Sequence, residues 1–167
     1  MADESPMPSE SVTLPPDLRA LAQSGCGVAV ASCGPGGTPL LGLGAGCRIG
    51  VGGRVRVLLP RAPNLALLTA LEGGAPVAVT FTATRDHCSF QIKARRARLC
   101  PACSDDLPEI DRQMALFQDG LVEIGYSRLQ ATGYCAHQRA DLMALELIPE
   151  RVFTQTPGPG AGTELGA

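Results

Sequence analysis

The sequence predicts a mainly antiparallel β domain with peripheral helices, closed as a small barrel. Three observations carry this. Gly (20) and Pro (14) together make 34 of the 167 residues, without collagen periodicity, an excess that favours many short turns over a helical bundle. Short apolar runs alternate with those turns and read as successive hairpins. Only one long stretch shows clear helical periodicity, so strands dominate and helices sit outside them.

Residues 1–13 are acidic and Pro/Ser-rich and are expected to be a disordered tail. Pro15-Pro16-Asp17 opens a short helix with Leu18 and Leu21 one turn apart, and Gly25 stops it. Cys26 to Cys33 is small, apolar and strand-like, Gly34 to Gly37 is a turn, and Thr38 to Gly46 is a second strand weakened by its glycines. Arg48 to Val51 and Arg54 to Leu59 flank Gly52-Gly53 as a tight hairpin. In its second strand Arg54 and Arg56 alternate with Val55 and Val57, one wet face and one buried face.

Asn64 to Leu71 places Leu65, Leu68 and Leu71 on one helical face, and Gly73-Gly74 ends it. Pro76 to Ala83 is a strand. Cys88 to Leu99 is the longest strand candidate. Adjacent Arg95 and Arg96 break its alternation, which resumes in the opposite phase, so a bulge near Arg95 is expected. Asp106 and Glu109 have capping-box spacing. Leu107, Ile110, Met114, Phe117, Leu121 and Ile124 follow as one apolar stripe, with Gly120 as a point where the helix could split. Tyr126 to Ala140 reads as a loop. Leu142 to Ile148 and Val152 to Phe153 are late strands. The single domain is expected over residues 14–156, with a Gly/Pro-rich tail at 157–167.

Composition excludes several function classes. A net charge of −2 and no Trp give neither a general attraction for nucleic acid nor stacking platforms for single strands. No apolar run approaches the ~18 residues a membrane span needs. The first sixteen residues have no basic or apolar signal region, so the cytoplasm is the expected compartment, with the seven cysteines reduced.

Four residues stand out as site candidates. Gln91 and Lys93, two apart on one strand, emerge on one face. An amide beside an ammonium suits a polar heterocycle with an anionic group, and equally suits a solvated outer face. Lys93 is the single lysine among 13 arginines. Arg61 follows a strand and precedes a helix start, where a guanidinium and free N–H groups make an anion pocket. Cys100-Pro-Ala-Cys103 is one half-site of a zinc motif without a second, so no metal is expected.

The stretch from Cys26 to Leu99 resembles the FMN-binding split barrel of the pyridoxamine 5'-phosphate oxidase-like family. The matching residues are the hairpin Arg48 to Leu59, the run PRAPNLALLTALEGGAPVAVTF from Pro60 to Phe81, and QIKA from Gln91 to Ala94. The resemblance implies FMN held between the two subunits of a homodimer. It implies Arg61 at the phosphate, with Arg48 as a second phosphate candidate, Gln91 at the isoalloxazine and Lys93 near it. The family's vitamin B6 enzyme has a C-terminal Trp-containing Arg-Leu motif with no counterpart here, so its substrate is not carried over. The function implied is an FMN-dependent oxidoreductase of unassigned substrate. A non-catalytic flavin carrier and a haem-binding split barrel, with His87 or His137, or else a Cys or Tyr, as axial ligand, are the alternatives.

Overall fold

The computed structural model describes residues 11–166, so the first ten residues of the expected tail lie outside it. Helix α1 (Pro16–Ala22) leads into β1 (Gly27–Cys33), β2 (Pro39–Gly44), β3 (Gly46–Ile49) and β4 (Val55–Pro60). Helix α2 (Leu65–Glu72), β5 (Val77–Thr82), β6 (Ser89–Ala94) and β7 (Arg98–Pro101) follow. The chain ends with α3 (Leu107–Glu123), α4 (Arg128–Tyr134), β8 (Leu142–Leu147) and β9 (Arg151–Thr154). The strands form two antiparallel sheets, β2-β1-β5-β6-β9 and β3-β4-β8-β7.

Both sheets turn one face into a shared core. Val28 and Val30 on β1, Val79 and Phe81 on β5, and Phe90 and Ile92 on β6 meet Val55 and Val57 on β4 and Leu145 on β8. All are under 5 % exposed, each side chain contributing about 1.5–3 kcal/mol by burial. Phe81 and Phe90 are register partners and stack with centroids 5.0 Å apart. A second cluster, Leu58, Ala144, Leu142 and Ile110, seats α3 on the other face of the four-stranded sheet.

The long strand expected over Cys88–Leu99 is two strands in two sheets. β6 ends at Ala94 and β7 begins at Arg98, so the phase change at Arg95-Arg96 marks a corner rather than a bulge. Arg95 points outward to Glu150 at 3.0 Å, because two adjacent guanidiniums cannot alternate into an apolar core. Helix α3 runs unbroken through Gly120. A Cβ there would fall 2.2 Å from Thr84 Oγ1, so this glycine permits close packing instead of splitting the helix.

Two further expectations differ. The loop over Tyr126–Ala140 contains α4, opened by a capping box in which Ser127 and Gln130 exchange backbone and side-chain bonds. Asp106 makes no cap bond at α3, since its carboxylate is turned to arginines. Gln113 of α3 is instead the bond that fixes this helix. Its amide accepts from Cys47 N at 2.9 Å and donates to Cys47 O at 2.6 Å, filling the place of a strand beside edge strand β3. Beyond β9 the chain turns back, and Thr154 N–H donates to Thr163 O while Leu165 N–H donates to Val152 O.

Candidate functional site

The outward face of the five-stranded sheet is built by the period-two alternation of its strands. With valines and phenylalanines turned in, register places Leu43, Ala29, Thr80, Gln91 and Phe153 in one row across all five strands. The next row is Leu41, Ala31, Ala78, Lys93 and Arg151. Small residues make the centre flat, and Leu41 and Leu43 are 71 % and 49 % exposed. Gln91 Nε2 donates to Thr80 Oγ1 at 2.9 Å. That bond orients the amide and leaves its oxygen and second N–H available. Lys93 Nζ lies 4.6 Å from the centroid of the Phe153 ring, a cation on a ring face.

Arg61 sits where β4 ends and a short 3₁₀ turn, Ala62–Asn64, leads into α2. Its side chain is exposed, and no carboxylate among the described residues lies within 4.0 Å of its guanidinium. The backbone half of the expected anion pocket is different. Asp141 accepts from Arg61 N–H through its carbonyl at 2.8 Å and from Ala62 N–H through its carboxylate at 3.0 Å. A carboxylate of the chain itself therefore holds the helix start, and the Arg61 side chain has no carboxylate partner among the described residues. Behind it, buried Asn64 donates to Pro60 O at 2.7 Å. Gly42 of β2 lies so close that a Cβ would fall 2.1 Å from Asn64 Oδ1.

A cleft of about 230 Å³ opens beside the Leu43–Ala29 end of this row. Pro60, Leu43, Ala29 and Thr82 line it on the sheet side, and Phe117 and His137 on the helix side. From Leu43 to Gln91 is three strand spacings, roughly 14 Å. His137 Nδ1 lies 3.0 Å from Cys135 O, which leaves Nε2 free. Burial pushes the Cys135 thiol pKa up, so it behaves as a small apolar group. His87 is in an exposed turn with φ +57° and does not line this cleft.

Arg48 lies elsewhere. On the outward face of the four-stranded sheet, register aligns Arg48, Arg56, Glu146 and Arg98. The Arg48 guanidinium donates to Asp106 at 2.9 Å, and Arg56 holds the same carboxylate at 2.7 Å. Asp106 is fully buried. Burial alone would raise its pKa, but hydrogen bonds from Arg56, the Cys103 N–H and Arg48 outweigh it and hold the carboxyl well below the usual range. Arg56 also donates to Cys100 Sγ at 2.9 Å, so the Cys-x-x-Cys pair borders this ionic cluster.

Gln91 and Lys93 thus share the outward face of the five-stranded sheet, whereas Arg61 stands at the end of β4 and Arg48 on the face of the four-stranded sheet. Thr80, Phe153, Arg151 and Asp141 escaped the sequence reading. Thr80 and Phe153 were readable only with strand pairing in hand, and Asp141 carried no signal.

No family model matches the chain, and no curated protein matches it. Solved structures do. HupZ from Group A Streptococcus superposes with TM-score 0.54 at 12 % identity, over 90 % of this chain and 100 % of that one. A candidate pyridoxamine 5'-phosphate oxidase from Lactobacillus delbrueckii gives 0.53 at 13 % identity, over 84 % and 93 %. The chain has the fold of the pyridoxamine 5'-phosphate oxidase-like split barrels. An F420 reductase shares this split barrel with TM-score 0.54 at 14 % identity, over 83 % of this chain and 98 % of that one. At such identities the likeness concerns the split barrel and not its chemistry. No helix among the described residues is long and apolar enough to cross a membrane.

Proposed function

We propose that the protein binds FMN and acts as a flavin-dependent oxidoreductase, as a homodimer with the cofactor between subunits. The observation that carries this is the Thr80–Gln91 pair on a flat, small-residue face of a split barrel. The residues fit the group. A planar ring needs the flat floor that Ala29 and Thr80 provide in the row that carries Gln91. Its pyrimidine edge presents both acceptors and a donor, matched by the free oxygen and N–H of the Gln91 amide.

When bound, the flavin supplies the hydride and electron chemistry. The chain's own residues bind and orient. Thr80 holds the Gln91 amide in one rotamer, Gln91 fixes the ring edge, and Lys93 places a positive charge beside it. Arg61, exposed at the end of β4, offers a guanidinium to the phosphate. Arg48 is committed to Asp106, so the proposal rests on the other three. No acid or base is assigned.

Two subunits are needed because one face covers one side of a ring. Exposed Leu41 and Leu43 supply the apolar area for that contact. The test is the absorption spectrum of the protein purified with FMN present, with its mass by light scattering. Flavin bands and a mass twice 17.3 kDa are expected. A monomer without flavin bands overturns the reading. A Soret band would turn attention to haem, with His137 as ligand. Bleaching of a bound flavin by NAD(P)H separates an oxidoreductase from a carrier.

A further inference from the structure

We propose that Lys93 and Arg151 receive the anionic group of a second ligand, an aromatic carboxylate or phosphate ester, whose ring lies in the hollow beside them. The inference rests on the flavin reading only in making this ligand the flavin's reaction partner.

Lys93 and Arg151 are directly opposed on β6 and β9. Like charges in that position repel and destabilise a sheet. Both also stand over one ring, at 4.6 and 4.8 Å from the Phe153 centroid. The ring face offsets part of the repulsion, but it supplies no negative charge. Arg151 has one carboxylate, Glu164, at 2.6 Å, reached from the returning C-terminal segment. Lys93 has none within 4.0 Å among the described residues. The remaining neighbours, Arg95 and Glu150, are paired with each other at 3.0 Å. Three cations thus face two carboxylates, and Lys93 is the one left over.

Beside this pair lies a hollow of about 410 Å³ lined by Ala31, Cys33, Pro76 and Ala78, with Lys93, Arg151 and the mutually paired Arg95 and Glu150 at its rim. Its floor is apolar and continuous with the row that carries Thr80 and Gln91. A cationic rim on an apolar floor recognises an anion attached to a flat apolar body. Lysine suits the rim because its ammonium is a compact point charge able to meet either carboxylate or phosphate. Glu164 then acts as a competitor built into the chain, neutralising Arg151 until the ligand's anion replaces it.

Titration of the full chain with 2-naphthoate, 2-naphthyl phosphate and neutral 2-naphthol, followed by calorimetry, tests this. Both anions should bind more tightly than the naphthol, and the stronger of the two identifies the group recognised. Arg151→Gln should weaken both anions by about 5- to 10-fold and leave 2-naphthol unchanged. Glu164→Gln should tighten both anions by about threefold, an outcome that a purely structural Arg151–Glu164 pair does not produce. Ala78→Leu should weaken all three ligands by filling the floor.

Equal affinity for anions and naphthol, or anion affinities that neither Arg151→Gln nor Glu164→Gln moves, overturns the proposal. FMN titrated alongside separates the two readings. Naphthoate binding without FMN binding would sink the flavin reading and leave the anion site standing. Displacement of naphthoate by FMN, one for one, would assign the hollow to the flavin and overturn the second-ligand site.

Discussion

The outward faces of the two sheets use charge in opposite ways. On the four-stranded sheet, Arg48, Arg56, Arg98, Glu146 and buried Asp106 saturate one another, and α3 is seated on the same face. On the five-stranded sheet the centre is alanine and threonine, Gln91 keeps free hydrogen-bonding capacity, and Lys93 lacks a carboxylate. Fully paired ionic groups hold a structure in place, whereas unpaired groups on an uncovered face have something left to give a ligand. Counting charged residues would rank the first face as the functional one. Counting unsatisfied capacity ranks the second.

The largest effect expected from breaking this contrast is on stability. Asp106→Asn leaves Arg48 and Arg56 facing each other without the carboxylate between them, and should cost about 3 kcal/mol. Chemical denaturation should show the loss, while FMN affinity stays as in the wild type. Acid should do the same to the wild type. The Asp106 carboxyl has a lowered pKa in the folded state, while the unfolded chain takes up that proton near pH 4. The stabilisation is therefore complete above about pH 5 and is lost as pH falls toward the folded value. Between pH 6 and pH 3 the denaturation midpoint of the wild type should fall more steeply than that of Asp106→Asn. Parallel curves would mean that Asp106 is not the acid-sensitive link.

For the proposed cofactor the largest effect belongs to Arg61, at the end of β4. Arg61→Ala should weaken FMN by roughly 10- to 150-fold, the equivalent of about 1.5–3 kcal/mol for a hydrogen bond to a charged group. Riboflavin, which lacks the phosphate, should be little affected. Asp141→Asn should act the other way, because its carboxylate holds the Ala62 N–H and repels a phosphate nearby. An unchanged preference for FMN over riboflavin in Arg61→Ala would remove Arg61 from the site.

Leu41→Glu sharpens the comparison at the level of assembly. Leu41 is 71 % exposed in the single chain, so the substitution should leave the isolated fold nearly as stable as before. If two such faces meet, each protomer loses about 1.5 kcal/mol of apolar burial and gains a charge. Sedimentation at micromolar concentration should then show the shift from dimer to monomer. A dimer that survives places the interface elsewhere.

How much of this was readable beforehand follows from which interactions are local. The strands at Gly27–Cys33 and Val77–Thr82 were visible because alternation is written in consecutive residues. So was the pairing of Gln91 with Lys93 on one face, which needs only a period of two. The break at Arg95 registered as a phase change, but its meaning, a passage between sheets, depends on partners fifty residues away. Helix α4 has the capping spacing at Ser127 and Gln130 but no apolar periodicity after it, so the sequence alone reads as a loop there. Local spacing makes Asp106 a helix cap, and distant Arg48 and Arg56 override it. Thr80, Arg151 and Phe153 belong to the candidate site only through cross-strand register, which no single strand encodes.

Gln91→Ala is the smallest of the expected effects and the most discriminating for the ring. The amide's proposed partner is the isoalloxazine edge, which FMN and riboflavin share. Its loss should therefore weaken both ligands alike, by about 0.5–1.5 kcal/mol for a neutral hydrogen bond. Thr80→Val provides the control for orientation. It removes the hydroxyl that accepts from Gln91 Nε2 while keeping the side chain's shape, so the amide stays present but is no longer held. If orientation matters, Thr80→Val should reproduce part of the Gln91→Ala loss, and the double variant should lose less than the sum of the two. Strict additivity would show that Gln91 and Thr80 act separately. A Gln91→Ala loss confined to FMN would move Gln91 from the ring to the phosphate and reverse the direction in which the cofactor lies across the sheet.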